Sequence, residues 1–123
     1  MPNTQATELV KVVVSLVNGE PAFNYLNSEG QQYDGDVTVT QAETITYQLI
    51  DDTGRGLKFA GAGFLTPFDG VIDSIEVSPD GMQLQMIDTD QTPGTTKFQF
   101  ILTNSSNNLF LISPDPEVIN EPK

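Results

Sequence analysis

Close pairs of acidic residues are the side chains in this sequence whose spacing could bind a metal ion. The pairs are Asp34 with Asp36, Asp51 with Asp52, and Asp88 with Asp90. An Asp-x-Asp turn presents several carboxylate oxygens, which are the ligands that Ca²⁺ prefers. Neither 34–36 nor 88–90 continues into an EF-hand loop, and Asp also forms turns by accepting hydrogen bonds from nearby backbone amides. The candidate Ca²⁺ ligands are therefore Asp34, Asp36, Asp88 and Asp90, with turn formation as the alternative.

A glycine- and phenylalanine-rich segment, residues 51–70, is the candidate for a small-ligand site. Glycines expose backbone N–H groups, and aromatic side chains can form the wall of a pocket. The spacing fits neither a dinucleotide fingerprint nor a P-loop. The candidate ligand-binding residues are Arg55, Lys58, Phe59, Phe64 and Phe68. The alternative is a long structural connection whose phenylalanines close one end of the core.

The residue types that are missing exclude most enzymatic mechanisms. The chain has no Cys and no His, which excludes disulfides, thiol catalysis, Ser-His-Asp triads and the usual zinc sites. A pair of carboxylates could still serve an acidic hydrolase, but among 17 acidic residues some pair lies close in space by chance. We therefore predict a protein that is not an enzyme and that has no cofactor.

Composition and charge limit the partners. The chain has 123 residues and a net charge of −12, with 17 acidic and 5 basic residues. This balance argues against binding to nucleic acid or to anionic membranes, and permits cationic partners or Ca²⁺. The length predicts one domain over residues 1–123, with flexible ends at 1–8 and 120–123. The opening residues lack the pattern of a secretory signal, so we expect a cytoplasmic protein.

Apolar and polar residues alternate along most of the chain, which is typical of β-strands. The strand at residues 10–17 leads into an Asn18-Gly19 turn, and Ser78-Pro79-Asp80-Gly81 marks a second hairpin. No segment has a sustained helical period. The sequence therefore predicts an all-β, immunoglobulin-like β-sandwich of about seven to eight antiparallel strands. Apolar positions of these strands predict core residues, among them Met82, Met86, Phe98 and Phe100.

The C-terminal tail carries two prolines, Pro114 and Pro116, that favour an extended chain, and we expect a stiff strap over a sheet edge. The dipeptides Asp115-Pro116 and Glu121-Pro122, together with the apolar first strand and the Gly/Phe-rich middle, resemble the bacterial DP-EP family over nearly the whole chain. This resemblance implies an immunoglobulin-like β-sandwich and supplies no catalytic residue. There is a fainter similarity to bacterial inclusion-body proteins.

These observations favour a non-enzymatic binding or assembly module that self-associates, or binds a protein partner, through the edges or faces of its sheets. The partly apolar second face of the first strand, with Val13 and Val17, supports this hypothesis. The alternative is a small-ligand or Ca²⁺ carrier that uses residues 51–70. An acidic hydrolase is the weaker alternative.

Overall fold

A computed structural model describes residues 6–106, 108–114 and 116–122 of the chain. These ranges contain β-strands and no helix, so the predicted all-β class is confirmed. Residues 1–5 and Lys123, from the ends predicted to be flexible, lie outside the described residues, as does Asp115 of the Asp-Pro dipeptide.

The described part of the chain contains eleven strands, joined by turns and loops. They are β1 (Ala6–Val17), β2 (Glu20–Leu26), β3 (Gln32–Tyr33), β4 (Val37–Val39), β5 (Glu43–Asp51), β6 (Lys58–Phe64), β7 (Ser74–Val77), β8 (Gln83–Asp88), β9 (Gly94–Thr103), β10 (Phe110–Ile112) and β11 (Glu117–Asn120).

The first sheet has the order β3-β2-β1-β5-β8-β7. The alternation in β1 buries Val10, Val12 and Val14 completely on the face toward the core. Asn18 and Gly19 take φ values of 53° and 79°, so the predicted turn joins β1 and β2 as a hairpin. The Ser78–Gly81 turn likewise joins β7 and β8, and the Gly81 amide donates to the Ser78 carbonyl oxygen at 2.9 Å. Both predicted hairpins are confirmed.

The second sheet has the order β10-β9-β11-β4, and β6 pairs with β9 on its other side. Two neighbouring pairs are parallel, β1 with β5 and β4 with β11. The prediction of seven to eight antiparallel strands is therefore wrong in strand number and in the direction of these pairs. Alternation along a strand shows which face is buried, but it carries no information about which distant strand lies beside it.

Strand β6 lies inside residues 51–70, the candidate ligand-binding segment, where the sequence did not predict a strand. The alternation of apolar and polar residues is hard to see in β6, because the outward positions at Gly61 and Gly63 have no side chain. In addition, the register with β9 shifts between Phe59 and Gly61. A bulge of this kind breaks the period of two on which strand recognition depends.

The two sheets pack against each other through an aromatic cluster. The Tyr47 ring of the first sheet lies 5.9 Å from the Phe98 ring and 4.8 Å from the Phe100 ring of the second. Phe59 extends the cluster, with its ring 5.3 Å from that of Phe100. Met86 is buried with them and Met82 packs partly buried against the core, so the predicted core residues are confirmed.

The tail runs along β9 in two pieces. Pro114 and Pro116 separate β10 from β11, while Phe100 exchanges hydrogen bonds with the backbone amide and hydroxyl of Ser113 at the break. Strand β11 then lies between β9 and β4. The predicted strap over a sheet edge is therefore wrong, because the last strand is an interior strand of the second sheet.

Candidate functional site

A groove of about 720 Å³ crosses the outer face of the second sheet. Its centre follows from the alternation in β9, where Phe98 and Phe100 point into the core while Gln99 and Ile101 point outward. Ile112 of β10 pairs beside Ile101 on one side. On the other side, Gly61 and Gly63 of β6 pair with Ile101 and Gln99 and leave a floor of bare backbone.

Large apolar side chains around this groove are exposed. Ile112 is 56% exposed, Phe110 is 67% exposed and Leu65 is 76% exposed. Phe110 and Ile112 are two residues apart in β10, so they share its outer face. Strand β10 is also an edge strand, and edge strands leave half of their backbone hydrogen-bonding groups unpaired within the sheet. We call Leu65, Ile101, Phe110 and Ile112 the outer apolar patch.

The walls of the groove coincide with the two longest stretches of sequence that contain no charged residue. Residues 59–68 include most of β6 and Leu65, and residues 98–114 include most of β9 and all of β10. In a chain with a net charge of −12 this neutrality sets the face apart. Sequence reasoning missed the patch, although a scan for uncharged stretches would have found both walls.

Two of the predicted Ca²⁺ ligands, Asp34 and Asp36, lie on the rim of the groove and make turn hydrogen bonds. Asp34 Oδ1 accepts from the Asp36 amide at 2.9 Å, and Asp36 Oδ1 accepts from the Glu117 amide at 3.0 Å. Gly35 between them has a φ of 84° and packs against the Tyr25 ring. The turn therefore fixes the start of β11 beside β4.

The five predicted ligand-binding residues do not come together. Phe64 borders the groove, but its ring packs on the core side of the sheet, 5.5 Å from the ring of Phe98. Phe59 belongs to the core, whereas Phe68 is 99% exposed. Arg55 lies in an exposed turn, and Lys58 is half-buried with its side chain against Gly81.

Asp51 organises the turn that contains Arg55. Its Oδ1 accepts from the Thr53 amide and its Oδ2 from the Leu57 amide, both at 2.9 Å. Burial acts to raise the pKa of Asp51, but these hydrogen bonds outweigh it and hold the pKa below its usual value. The Asp51 carboxylate therefore stabilises this turn by accepting hydrogen bonds from its backbone amides.

The other two predicted Ca²⁺ ligands, Asp88 and Asp90, are buried between the sheets. Asp88 is fully buried and Asp90 is 3% exposed. Glu43, which is 7% exposed, lies opposite Asp88 in the β5–β8 pair. Asn120, which is 1% exposed, reaches Asp88 from β11 of the other sheet. Sequence reasoning missed Glu43 and Asn120, because each read as an ordinary polar residue in or beside a strand.

Burial raises the pKa values of both Asp88 and Glu43. Hydrogen bonds from the Asp90 amide and from Asn120 act in the opposite direction on Asp88, while the neighbouring carboxylates of Asp90 and Asp73 add to the increase. Within residues 6–106, 108–114 and 116–122, no three acidic side chains converge to form a carboxylate cage for a metal ion.

A comparison with models of known protein families identifies the family of this chain. The DP-EP family model matches residues 8–122, nearly the whole chain. The chain belongs to the DP-EP family. No curated protein matches it.

Among solved structures, this DP-EP protein is similar to the crystal structure of an inclusion body protein (PixA) from Burkholderia cenocepacia J2315. The two are 10% identical with a TM-score of 0.41, over 97% of this chain and 96% of the other. In the described part of the chain, no helix is long and apolar enough to cross a membrane.

Proposed function

We propose that this DP-EP protein is a non-enzymatic assembly module that pairs with a second copy of itself through β10 and the outer apolar patch. The observation that carries the proposal is that an edge strand and exposed apolar side chains coincide on one face, in two stretches of the chain that contain no charged residue. Exposed apolar patches with polar rims mark interaction surfaces in otherwise soluble domains. Asp34, Asp36, Lys97 and Glu117 supply the polar rim here.

A second copy fits this face because the strand is complementary to itself. If two copies of β10 pair in antiparallel fashion about Leu111, Phe110 of one copy lies beside Ile112 of the other. The two outer patches then form one continuous apolar surface across the new sheet. A two-fold contact of this kind uses the same patch on both subunits. Copies that each carry a charge of −12 repel over most of their surface, so the outer apolar patch, which contains no charged residue, is where they can approach.

The experiment is analytical ultracentrifugation of the wild type and of two aspartate variants. Ile112→Asp places a charge in the patch, and Val17→Asp places one at the end of β1. The two side chains are equally exposed, at 56%, which makes them a matched pair. We expect a dimer for the wild type and for Val17→Asp, and a folded monomer for Ile112→Asp.

A wild type that stays monomeric at every concentration would overturn the proposal. Loss of the dimer in Val17→Asp but not in Ile112→Asp would transfer the interface to the first strand. Circular dichroism of both variants checks that the fold is retained.

We further propose that the architecture is an immunoglobulin-like sandwich. The packing of two sheets through the rings of Tyr47, Phe98 and Phe100 supports this arrangement. A crystal structure that showed the sheets closed into one barrel would contradict it.

A small apolar ligand in the groove is the second candidate function. The volume of about 720 Å³ lies in the range of small-molecule pockets, and Leu65, Ile101 and Ile112 supply apolar walls. Native mass spectrometry of protein purified from its own host should then show a constant extra mass, and Leu65→Ala, a change at an exposed groove residue, should lose that mass while remaining folded.

A further inference from the structure

Three oxygen atoms from separate parts of the chain converge on one point between the sheets. The point is the Asn120 side-chain nitrogen, which lies 2.9 Å from the Thr92 carbonyl oxygen, 3.1 Å from Asp88 Oδ1 and 3.3 Å from the Val71 carbonyl oxygen. An amide nitrogen has two hydrogens, so it cannot serve three acceptors fully. The Asp90 amide also donates to Asp88 Oδ1, at 2.8 Å, so these two donor groups have no hydrogen left for a further acceptor.

Two further oxygens of the same side chains have no hydrogen-bond partner. They are Asp88 Oδ2 and Asn120 Oδ1. The two side chains are 0% and 1% exposed, so bulk water does not compensate them. Buried polar atoms without a partner are costly, and native proteins rarely tolerate two on adjoining side chains unless another group fills the space between them.

The charge around these oxygens is negative. The ionised groups that act on the Asp88 carboxyl are Asp90 and Asp73, and those that act on Glu43 are Glu8, Asp88 and Asp90. Among the described residues, no basic side chain acts on either carboxyl. A buried carboxylate is stable when a cation neutralises it, or when it takes up a proton.

We propose that Asp88, Asn120 and the carbonyl oxygens of Val71 and Thr92 form a Ca²⁺ site between the two sheets. A half-turn of the Asn120 amide about its Cβ–Cγ bond exchanges its nitrogen and oxygen, so that Oδ1 lies among the other three oxygen atoms, an arrangement that a bound cation would stabilise. The ligand set is then composed of oxygen atoms from one carboxylate, one amide and two carbonyls, which is the chemistry that Ca²⁺ prefers.

This site differs from the one that the sequence suggests. The Asp88-Thr89-Asp90 spacing predicts two carboxylates in a turn, whereas the proposed site combines one of them with an amide from β11 and with two backbone oxygens. A site with so few carboxylates binds weakly, and we expect a dissociation constant of about 10⁻⁴–10⁻³ M. Bound Ca²⁺ would hold β8 of the first sheet to β11 of the second.

The test is thermal unfolding of the full chain, treated with a chelator and then titrated with CaCl₂, at constant ionic strength. The key variant is Asp88→Asn, which keeps the size of the side chain and removes the charge. The matched control is Asp52→Asn, which removes one exposed acid elsewhere. We expect Ca²⁺ to raise the Tm of the wild type and of Asp52→Asn by several degrees, and to leave that of Asp88→Asn unchanged.

Without Ca²⁺, Asp88→Asn should melt at or above the wild-type Tm, because a buried charge has been removed. If that variant does not fold, Asn120→Asp supplies the second test. Its added carboxylate should lower the Tm without Ca²⁺ and enlarge the rise on adding Ca²⁺. No Ca²⁺-dependent rise in the wild type would overturn the proposal. An equal rise in Asp88→Asn and Asp52→Asn would also overturn it, because the effect would then be screening of surface charge.

Discussion

Replacing Gly35 by Ala should destabilise the protein much more than the same replacement at Gly30. Both glycines have a positive φ, 84° and 82°, so each alanine incurs the same backbone cost of about 1–2 kcal/mol. The difference lies in the space that the new Cβ enters. At Gly30 no atom lies within 4 Å, whereas at Gly35 the Cβ would lie 2.7 Å from Cγ of Tyr25.

The clash at Gly35 sets the size of the difference. Carbon atoms pack at about 3.5–4.0 Å, so the ring must move by about 1 Å. Tyr25 is 4% exposed and its ring lies 6.4 Å from that of Phe100, which leaves it little room to move. Overpacking of this kind costs about 1–3 kcal/mol. We therefore expect a loss of about 2–5 kcal/mol for Gly35→Ala and about 1–2 kcal/mol for Gly30→Ala.

Urea denaturation gives the two free energies of unfolding directly. For a domain of this size each kcal/mol corresponds to about 4 °C in Tm, so the two variants should melt about 4–12 °C apart. Equal losses would refute the reasoning, because they would show that the Tyr25 ring yields without cost. The comparison also tests whether the Asp34–Asp36 turn has a structural role, since Gly35 is its centre.

Three further predictions concern buried polar groups. Tyr47→Phe should raise the free energy of unfolding by about 1 kcal/mol in urea denaturation, because its buried hydroxyl has no partner among the described residues; a loss would show that it has one. Ser113→Ala should lower it by about 1–3 kcal/mol, because the Phe100 amide loses an acceptor at 2.7 Å; an unchanged value would mean that another acceptor replaces the hydroxyl. Calcium-free protein should become more stable as the pH falls from 8 toward 4.5, because the raised pKa values of Asp88 and Glu43 make protonation favour the folded state; thermal melts across this range that show a steady decrease would contradict this.

The sign of the pH effect follows from the direction of these shifts. A group whose pKa is higher in the folded protein gives its full stabilisation below its unfolded pKa, and loses it as the pH rises through the folded pKa. Asp51 and Asp69 act in the opposite sense, since their pKa values are lowered from 3.8. Their contribution is lost as the pH falls below that value, so the stability should pass through a maximum in mildly acidic solution.

Local pattern was enough to predict the strands and turns that depend on near neighbours. The alternation of Val10, Val12 and Val14 identified β1, and the positive φ values required at Asn18 and Gly19 identified its hairpin. The parallel pairing of β1 with β5 could not be predicted in the same way, because it depends on contacts between residues far apart in the sequence. Strand β6 was missed because glycine contributes no side chain to the pattern.

The same distinction between local sequence and long-range pairing applies to the candidate sites. Asp88 was identified by its spacing to Asp90, but its partner Asn120 is 32 residues away in another sheet. The sequence shows that Ile112 is apolar, but its exposure follows from the position of β10 at an edge of the sheet. Sequence supplied the chemical groups, while pairing between distant strands determined which groups meet.

The position of β11 has a consequence for how the chain is made. Strand β4 lies at the edge of the second sheet, and its neighbour there is β11, which the ribosome completes about 80 residues later. Until residue 120 leaves the exit tunnel, β4 and the first half of β9 lack the strand that pairs with both of them, and their facing edges are unpaired. Contacts over such sequence distances fold slowly and leave strand edges open to other chains. The slower the chain is made, the longer these edges stay open to other chains, so a slower rate of translation should lower the yield of folded protein.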